Sequence, residues 1–306
     1  MGATSPHVAE VCYAQKAPRV FIGLPVYNGA RFLAGVLDSL LAQSFTDFTL
    51  LISDNASTDE TRRICEEFAA RDSRVRYVRH PKNMGAPRNW NYVAEAAVGE
   101  YFKWATGNDR CSPDMLARCV AALDADPTAV LSQGRTCLVD EDSDESKEYD
   151  NDLALLDSRP SDRLKRLAGQ LGLNNGQCGL IRLAMLRKTR LDRLYPSGDI
   201  ALMAELALLG RFIVLPEVLL HRRMGNTTFT CLLKGEQIGQ FYGEQAMHTF
   251  VGHLLEMHFD VIRATLTMPL TLPERLAAFT FSVKYLIWSR RRIWVELRHA
   301  IGSRKA

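Results

Sequence analysis

Residues 20–61 read VFIGLPVYNGARFLAGVLDSLLAQSFTDFTLLISDNASTDET, and the fold is predicted from this segment first. A short apolar run ends at Pro25 and Asn28, and apolar residues then recur at the spacing of an amphipathic helix. A second apolar run, residues 48–55, closes on an acid and an amide. The stretch therefore predicts a buried strand, a helix and a second buried strand, each strand ending in polar residues.

The same alternation continues beyond this stretch. Ser57 stands three residues before Glu60, which predicts a capping box at the start of the next helix. Further strands are predicted at 74–80, 100–105 and 129–139, with helices at 86–97 and 112–126. Strands that alternate with helices indicate an α/β fold whose mostly parallel sheet is covered on both faces. In such sheets ligands bind beyond the carboxyl ends of the strands.

Composition excludes several classes of protein. With 306 residues, 47% hydrophobic and 24% charged, the chain resembles an ordinary soluble globular protein. Its seven cysteines are scattered and odd in number, which argues against a disulfide framework or a zinc knuckle and favours thiols in a reducing cytosol. Neither a signal peptide nor an apolar run of membrane-spanning length is recognisable, so a cytoplasmic protein is predicted.

Charge is distributed unevenly along the chain. Residues 140–152 carry eight acids and one lysine, which predicts a solvated loop and marks a boundary. From Lys284 onward there are seven Lys or Arg and one acid, so this segment contributes +6 to a net charge of +3. The segment also contains Trp288 and Trp294, and two interpretations stay open. It is either a basic helix that lies on the inner face of an anionic membrane, or a helix that packs in the core or a homodimer.

Three acids stand where chemistry is expected, and each also has a purely structural explanation. Asp54 ends the second strand, where it serves either the strand exit or hydrogen bonds to a base or sugar. Asp109, in the turn TGND, is either a turn former or a ligand of Mg²⁺ or Mn²⁺. Asp199 begins an apolar helix, as a first-turn acid or as a general base that deprotonates an acceptor hydroxyl.

Basic and amide side chains suggest an anion site near these acids. Asn83 and Arg88 surround a glycine turn that opens a helix, where backbone N–H groups suit a phosphate. The segment HRR, residues 221–223, ends a later strand and offers positive charge, although a solvated strand end explains it equally.

In their order, these pieces resemble a family 2 glycosyltransferase of the GT-A fold. The resemblance rests on residues 20–61, on NMGAPRNWN and on GEYFKWATGND followed by SPDML, and it covers roughly residues 18–225. It implies an inverting, nucleotide-sugar-dependent hexosyltransferase of the kind used in bacterial polysaccharide or glycoconjugate synthesis. The nucleotide-sugar site implied by the resemblance comprises Pro25, Tyr27, Asn28, Asp54, Asn55, Asn83, Arg88, Asn108, Asp109, His221, Arg222 and Arg223.

The resemblance also implies roles and boundaries. Asp109 and Asn108 would bind the divalent metal, Asp54 would read a pyrimidine base of a UDP- or dTDP-sugar, and Asp199 would be the catalytic base, with Glu205 as the alternative base. Family members commonly show two or three consecutive acids at the metal turn, whereas here Asn108 precedes a single acid, so weaker metal binding is expected. The implied organisation is a flexible arm (1–17), a nucleotide-sugar-binding half (18–140), an acceptor-binding half (141–235) and a C-terminal helical extension (236–306).

Other functions remain as alternatives. A Rossmann dehydrogenase is disfavoured because no GxGxxG follows the first strand. A sugar nucleotidyltransferase would also combine such a sheet with a metal site, but the glycine-rich basic loop expected after the first strand is missing. A non-catalytic scaffold that only binds nucleotide sugars also stays open. The sequence does not identify the sugar or the acceptor, which is a carbohydrate, a glycolipid or a small molecule.

Overall fold

The computed structural model describes residues 17–225, 241–242 and 252–302, with side chains up to Arg298. The predicted N-terminal arm, apart from Ala17, lies outside the described residues. The helices of this part of the chain are α1 (Ala30–Leu41), α2 (Thr61–Arg71), α3 (Ala86–Glu95), α4 (Met115–Ala125), α5 (Pro160–Gln170), α6 (Leu183–Leu186), α7 (Gly198–Leu209), α8 (His253–Thr267) and α9 (Leu272–Gly302). A 3₁₀ helix spans Asn175–Cys178.

One sheet of nine strands organises the described residues. The strands are β1 (Val20–Val26), β2 (Phe48–Asp54), β3 (Val75–Arg79), β4 (Tyr101–Trp104), β5 (Arg110–Cys111), β6 (Ala129–Asp140), β7 (Ser146–Tyr149), β8 (Leu180–Arg182) and β9 (Arg211–Met224). Their order is β3-β2-β1-β4-β8-β6-β9-β5, and β7 pairs with β6 outside this path. The α/β fold with flanking helices is confirmed.

Strand direction differs between the two halves of the sheet. Strands β3, β2, β1 and β4 are all parallel, as the alternating pattern predicts. Beyond β4 the sheet is mixed, because β8 runs antiparallel to both β4 and β6, whereas β6 and β9 are parallel. The carboxyl ends of β1, β2 and β4 therefore lie on one edge, and β9 reaches that edge through its antiparallel contact with β5.

Apolar layers cover both faces of the sheet. Alternating residues of β1 face opposite sides, so that Ile22 packs with α1 and α4 while Phe21 packs with α3 and α7. On the second side Trp104 is fully buried, lies edge-on against Phe102 at 4.6 Å, and donates its indole N–H to the carbonyl of Trp90 at 3.0 Å. Burial of each such side chain contributes roughly 2 kcal/mol, which fixes the strand from which the turn at Asp109 departs.

The predicted capping box at Ser57 is wrong. Helix α2 begins at Thr61, and Ser57 lies four residues before it. Instead, the Ser57 hydroxyl accepts the backbone N–H of Asn28 at 2.9 Å, and its own N–H donates to Asp54 at 2.8 Å. Because the Ser57 hydroxyl accepts from Asn28, it does not accept a backbone N–H of α2, and Ser57 joins the ends of β1 and β2 instead.

The acidic run is mainly exposed, as predicted, but it is not only a loop. Residues 146–149 form β7, which pairs with β6 from Thr136 to Val139. The intervening turn is closed by Asp140, whose carboxylate accepts the N–H groups of Asp142 and Ser143. Strand β7 can pair with β6 despite its dense charge because its charged side chains remain in solvent.

The predicted C-terminal helical extension is present as α8 and α9. The two helices pack together, with His258 of α8 edge-on against Tyr285 of α9 at 4.6 Å. Helix α8 is tied to the segment before α7 by Asp260, which accepts from Arg193 Nε at 3.0 Å and from the Tyr195 hydroxyl at 2.7 Å. Among the described helices, none combines the length and the apolar character that crossing a bilayer requires.

Candidate functional site

The polar ends of β1, β2 and β4 meet at one edge of the sheet. In the strand register Val26 lies beside Asp54, and the turn after β4 approaches the same residue, since a Cβ built on Gly107 would lie 3.3 Å from the Val26 side chain. Pro25 is buried at this edge and Tyr27 is 40% exposed. The structure thus brings the three predicted strand ends together.

Asp54 is fully buried and bonded to protein groups. One carboxylate oxygen accepts the Ser57 N–H, and the other accepts the Tyr77 hydroxyl at 2.8 Å and lies 3.3 Å from Arg79 Nε. Burial and this hydrogen bond raise the pKa of Tyr77, so its hydroxyl stays a donor. Asp54 therefore orders the edge of the site, and a base reaches it only where one of these partners gives way.

The loop before α3 is joined to β2 by amides. Asn55 accepts the Met84 N–H and donates to Asn83 Oδ1, both at 2.8 Å, and that oxygen also accepts the Gly85 N–H. Asn28 is held on the other side of β2, where its side chain accepts the Thr58 N–H at 2.8 Å.

Arg88 is exposed on the first turn of α3. The Arg88 side chain, like that of Lys82 within the loop, thus lies in solvent. The predicted amides hold this loop, and they already accept the Met84 and Gly85 N–H groups that the sequence offered to a phosphate.

Asp109 is buried and faces the end of β9. Its Oδ1 accepts the backbone N–H of Arg223 at 2.8 Å, and its own N–H donates to the Thr106 hydroxyl at 3.2 Å. Burial raises the pKa of the Asp109 carboxyl, while the Thr106 hydrogen bond, the Arg223 N–H and the charges of Arg222 and Lys103 oppose the rise. Because burial makes the ionised form of this carboxyl unfavourable, a cation beside it would stabilise the carboxylate.

Lys103 is a site residue that the sequence analysis missed. It lies on β4, is 1% exposed, and donates its ammonium protons to the carbonyls of Cys178 and Trp104. A lysine within an apolar strand signals either a partnered buried charge or a functional group. Here the buried ammonium supplies positive potential next to Asp109.

The three side chains of the basic segment at the end of β9 contact different partners. His221 Nε2 lies 3.1 Å from the Ser112 hydroxyl, and burial lowers its pKa, which favours the neutral ring. Arg222 donates to Asn175 at 2.6 Å. Arg223 lies over the Phe32 ring and pairs with the exposed Asp144 at 2.7 Å. Of the three, Arg222 is the one bonded to the turn that precedes β8.

Two consecutive asparagines, also missed by the sequence analysis, connect this segment with Asp199. Asn175 accepts from Arg222 and donates to Asp152 at 2.9 Å, while Asn174 donates to Asp199 Oδ2 at 2.9 Å. Their signal in the sequence is the polar pair NNG before an apolar strand, which reads as an ordinary turn. Asp199 is half-buried on the first turn of α7, and one of its oxygens remains outside this contact.

A second carboxyl lies near Asp199. Burial, and secondarily the charge of Asp199, raise the pKa of Asp192 well above its ordinary value. The backbone of Asp192 is clasped by Asn91, which donates to its carbonyl at 2.9 Å and accepts its N–H at 3.0 Å. The neighbour of the predicted base is therefore biased towards its neutral form.

Glu205, the alternative base, is occupied elsewhere. It is 1% exposed, pairs with Arg193 at 2.6 Å, and accepts the Arg190 N–H at 2.9 Å. Its place on the buried side of α7, six residues after Asp199, makes it a structural partner of the Arg193–Asp260 contact. Both of its carboxylate oxygens are bonded to protein groups, so the contacts of Glu205 favour a structural role and Asp199 stays the predicted base.

The donor set at Asp109 fits a divalent metal only together with substrate. The described residues contain no group of three or more His, Cys, Asp or Glu side chains placed to bind a metal. Asp109 offers the carboxylate oxygen that is not bonded to Arg223, and the half-buried Asn108 offers an amide oxygen. Mg²⁺ and similar ions are commonly held by one or two carboxylates, with phosphate oxygens and water as the remaining ligands.

Comparisons with known proteins identify a family and a fold. The model of the family described as Glycosyl transferase family 2 matches residues 21–190, which is more than half of the chain. The putative glycosyltransferase EpsE of Bacillus subtilis is 33% identical over 108 residues, 35% of this chain and 39% of that protein. Chondroitin synthase of Escherichia coli is 32% identical over 106 residues, 35% of this chain and 15% of that protein. The matched part thus spans well under half of these relatives.

Solved structures share the fold at low sequence identity. Residues 1–349 of S. aureus TarS in complex with UDP superpose with a TM-score of 0.62 at 16% identity, over 89% of this chain and 73% of that chain. The mannosyltransferase PcManGT from Pyrobaculum calidifontis, in complex with GDP-Man and Mn²⁺, gives a TM-score of 0.52 at 17% identity, over 93% and 85% of the two chains. At this identity the likeness establishes the GT-A type of fold.

Proposed function

Because the chain belongs to glycosyltransferase family 2, we propose that it transfers a sugar from a nucleoside diphosphate sugar to an acceptor hydroxyl with inversion of configuration. The donor is a UDP- or dTDP-sugar, and the acceptor is a carbohydrate, a glycolipid or a small molecule. Both TarS structures with ligands hold uridine nucleotides, UDP and UDP-GlcNAc, whereas PcManGT holds GDP-Man. The five cysteines that are free thiols in the described part support a reducing, cytoplasmic location.

One observation carries this proposal: the contact of Asp109 with the end of β9. Asp109 accepts the Arg223 N–H, and the adjacent Arg222 reaches Asn175, the neighbour of the asparagine that holds Asp199. A diphosphate bound at Asp109 would lie beside these arginines. These hydrogen bonds, joined by the peptide links Arg222–Arg223 and Asn174–Asn175, would connect the leaving-group side of the site with the proposed base.

The reaction follows from these placements. Asp199 takes the proton from the acceptor hydroxyl, whose oxygen attacks the anomeric carbon while the bond to the diphosphate breaks. Arg222 and Lys103 contribute positive potential where negative charge develops on the leaving group. A single displacement at one carbon inverts its configuration. Holding both reactants in line supplies much of the acceleration.

Asp109 and Asn108 would hold the divalent metal, Mn²⁺ or Mg²⁺. When bound, the ion would neutralise charge on the departing diphosphate. With one carboxylate at the turn, we expect metal affinity to be low in the absence of nucleotide. Asp54, held by Ser57 and Tyr77, is proposed to face the base, with Arg79 as the partner that gives way.

The test is a binding and turnover assay. Thermal shift and calorimetry with UDP, dTDP and GDP, each with and without Mn²⁺, are paired with hydrolysis of UDP-sugars by the wild type and by Asp109→Ala. We expect Mn²⁺-dependent stabilisation by one pyrimidine nucleotide, lost in the variant, and slow donor hydrolysis. Binding without any turnover would indicate a non-catalytic nucleotide-sugar-binding protein, and the absence of nucleotide binding would contradict the proposal.

A further inference from the structure

Helix α9 exposes a row of aromatic, aliphatic and basic side chains. Its outer face is defined by Lys284, Ile287, Trp288, Arg291, Trp294, Val295 and Arg298. These positions are three or four residues apart, so they lie on one side of the helix. The opposite side is packed, with Ser282 1% exposed and Ile293 7% exposed. The outer face is therefore a surface, not a part of the core.

Exposure of the apolar members is unusually high for their size. Their exposed fractions are 52% for Ile287, 64% for Trp288, 59% for Trp294 and 48% for Val295. Contiguous apolar side chains on the surface of a soluble protein mark an interaction site more often than chance exposure. Tryptophan is also the residue most suited to the boundary between water and hydrocarbon, because its ring is apolar and its N–H is polar.

The charge of the same face has one sign. Lys284, Arg291 and Arg298 stand among the apolar residues, and Arg298 lies 5.1 Å from the centre of the Trp294 ring. The acid of this segment, Glu296, points away, since its carboxylate accepts the N–H groups of Gly252 and Leu254 at 2.8 and 3.3 Å. A partner of this face must therefore supply negative charge.

This requirement discriminates between occupants. A second copy of the chain, related by two-fold symmetry, would bring basic side chains against basic side chains without an acid on the face to offset them. An anionic lipid surface offers what the face needs, because headgroups pair with the basic side chains and the acyl boundary receives the tryptophans.

We propose that the outer face of α9 binds the surface of anionic lipid membranes. The helix would lie parallel to the membrane, with Trp288 and Trp294 at the level of the headgroups and the arginines on the lipid phosphates. Binding is peripheral and reversible, and it weakens as salt screens the charges. This proposal does not depend on the proposed catalytic function.

The test uses the full chain and vesicles of phosphatidylcholine alone or mixed with phosphatidylglycerol. Co-sedimentation is measured for the wild type, for Arg291→Glu with Arg298→Glu, and for Trp288→Ser with Trp294→Ser. Lys165→Glu with Lys188→Glu is the control, because it changes the net charge equally at exposed positions that do not belong to α9. Circular dichroism establishes that each variant is folded.

We expect the wild type and the control to bind only the phosphatidylglycerol vesicles, with binding that decreases as KCl is added. Each double change on α9 should reduce the partition coefficient roughly tenfold or more. Equal sedimentation of all four proteins, or binding that ignores phosphatidylglycerol and salt, would overturn the proposal. So would a wild-type dimer, seen by sedimentation equilibrium without vesicles, that both α9 variants dissociate, since the face would then belong to a second copy.

Discussion

Asn174 donates a hydrogen bond of 2.9 Å to Asp199, and its neighbour Asn175 accepts a hydrogen bond from Arg222. The side chains of Asn174 and Asn175 thus connect the proposed base with the basic end of β9. Because both asparagines belong to one short turn before β8, a shift of that turn moves both contacts together. The geometry of the base and the contacts of the leaving group are therefore coupled.

Replacement of Asn174 should separate positioning from binding. Asn174→Ala removes the donor that fixes Asp199, and we expect kcat to fall about tenfold to a hundredfold because the base is held less accurately. The KM for the donor sugar should change little. Asn175→Ala is the matched control, and it should mainly raise the donor KM by freeing Arg222. Steady-state kinetics of both variants checks this, and identical effects of the two changes would contradict the division of roles.

A second acid at the metal turn should strengthen metal binding. Asn108→Asp restores a pair of carboxylates beside Asp109, and hard divalent cations gain from each added negative oxygen ligand. We expect Mn²⁺ to bind roughly tenfold more tightly in calorimetry without nucleotide. Asn108→Ala serves as the control and should bind no better than the wild type. An unchanged Mn²⁺ affinity in Asn108→Asp would show that the metal, if bound, is not held at this turn.

Glu205 should matter for stability and not for chemistry. Glu205→Gln leaves the buried Arg193 with one carboxylate partner fewer, and loss of such a contact costs about 3 kcal/mol of unfolding free energy. Activity per folded molecule should stay within about twofold of the wild type because the side chain does not reach substrate. Urea denaturation and kinetics measure both quantities. Glu66→Gln, which breaks an exposed pair with Arg62, is the control and should leave the unfolding free energy nearly unchanged.

His258 should make stability fall in mildly acidic solution. Burial, and secondarily repulsion by Arg292, lower its pKa to about 4, whereas an unfolded histidine titrates near 6.5. Between these values the unfolded chain binds the proton and the folded chain does not, so unfolding becomes easier as the pH falls from about 6.5 to about 4. The loss amounts to about 3 kcal/mol.

The His258→Phe variant should remove that contribution. Phe keeps the edge-on packing against Tyr285 and carries no titrating group, so its unfolding free energy should change less across this range. Thermal or urea unfolding at several pH values measures the difference. Parallel pH profiles for the wild type and the variant would show that another group is responsible.

The first half of the fold was predictable because its signals are local. Apolar and alternating runs predict β1 to β4, and their parallel direction follows from the helices that connect them. The edge formed by Val26, Asp54 and Asp109 was predictable for the same reason. The start of α2 was not, because the Ser57 hydroxyl accepts from Asn28, which lies beside it only in the folded chain.

The acceptor side was less predictable because its contacts are distant in sequence. Asn174 meets Asp199 after 25 residues and Arg222 meets Asn175 after 47, and nothing in a turn such as NNG reveals such partners. Lys103 was overlooked because a lysine inside an apolar strand looks like an interruption of the pattern. The ion pair of Glu205 was not predictable, because its buried partner, Arg193, comes from a loop that carries no regular pattern.

Asp199→Asn distinguishes a catalytic base at Asp199 from an acid that only begins helix α7. The amide keeps the shape and the contact region of Asn174 but accepts no proton at neutral pH. The measurement is single-turnover transfer together with donor affinity from calorimetry. We predict that turnover falls by about a hundredfold or more while the donor dissociation constant stays within about threefold of the wild type. Near-normal turnover by Asp199→Asn would contradict the account.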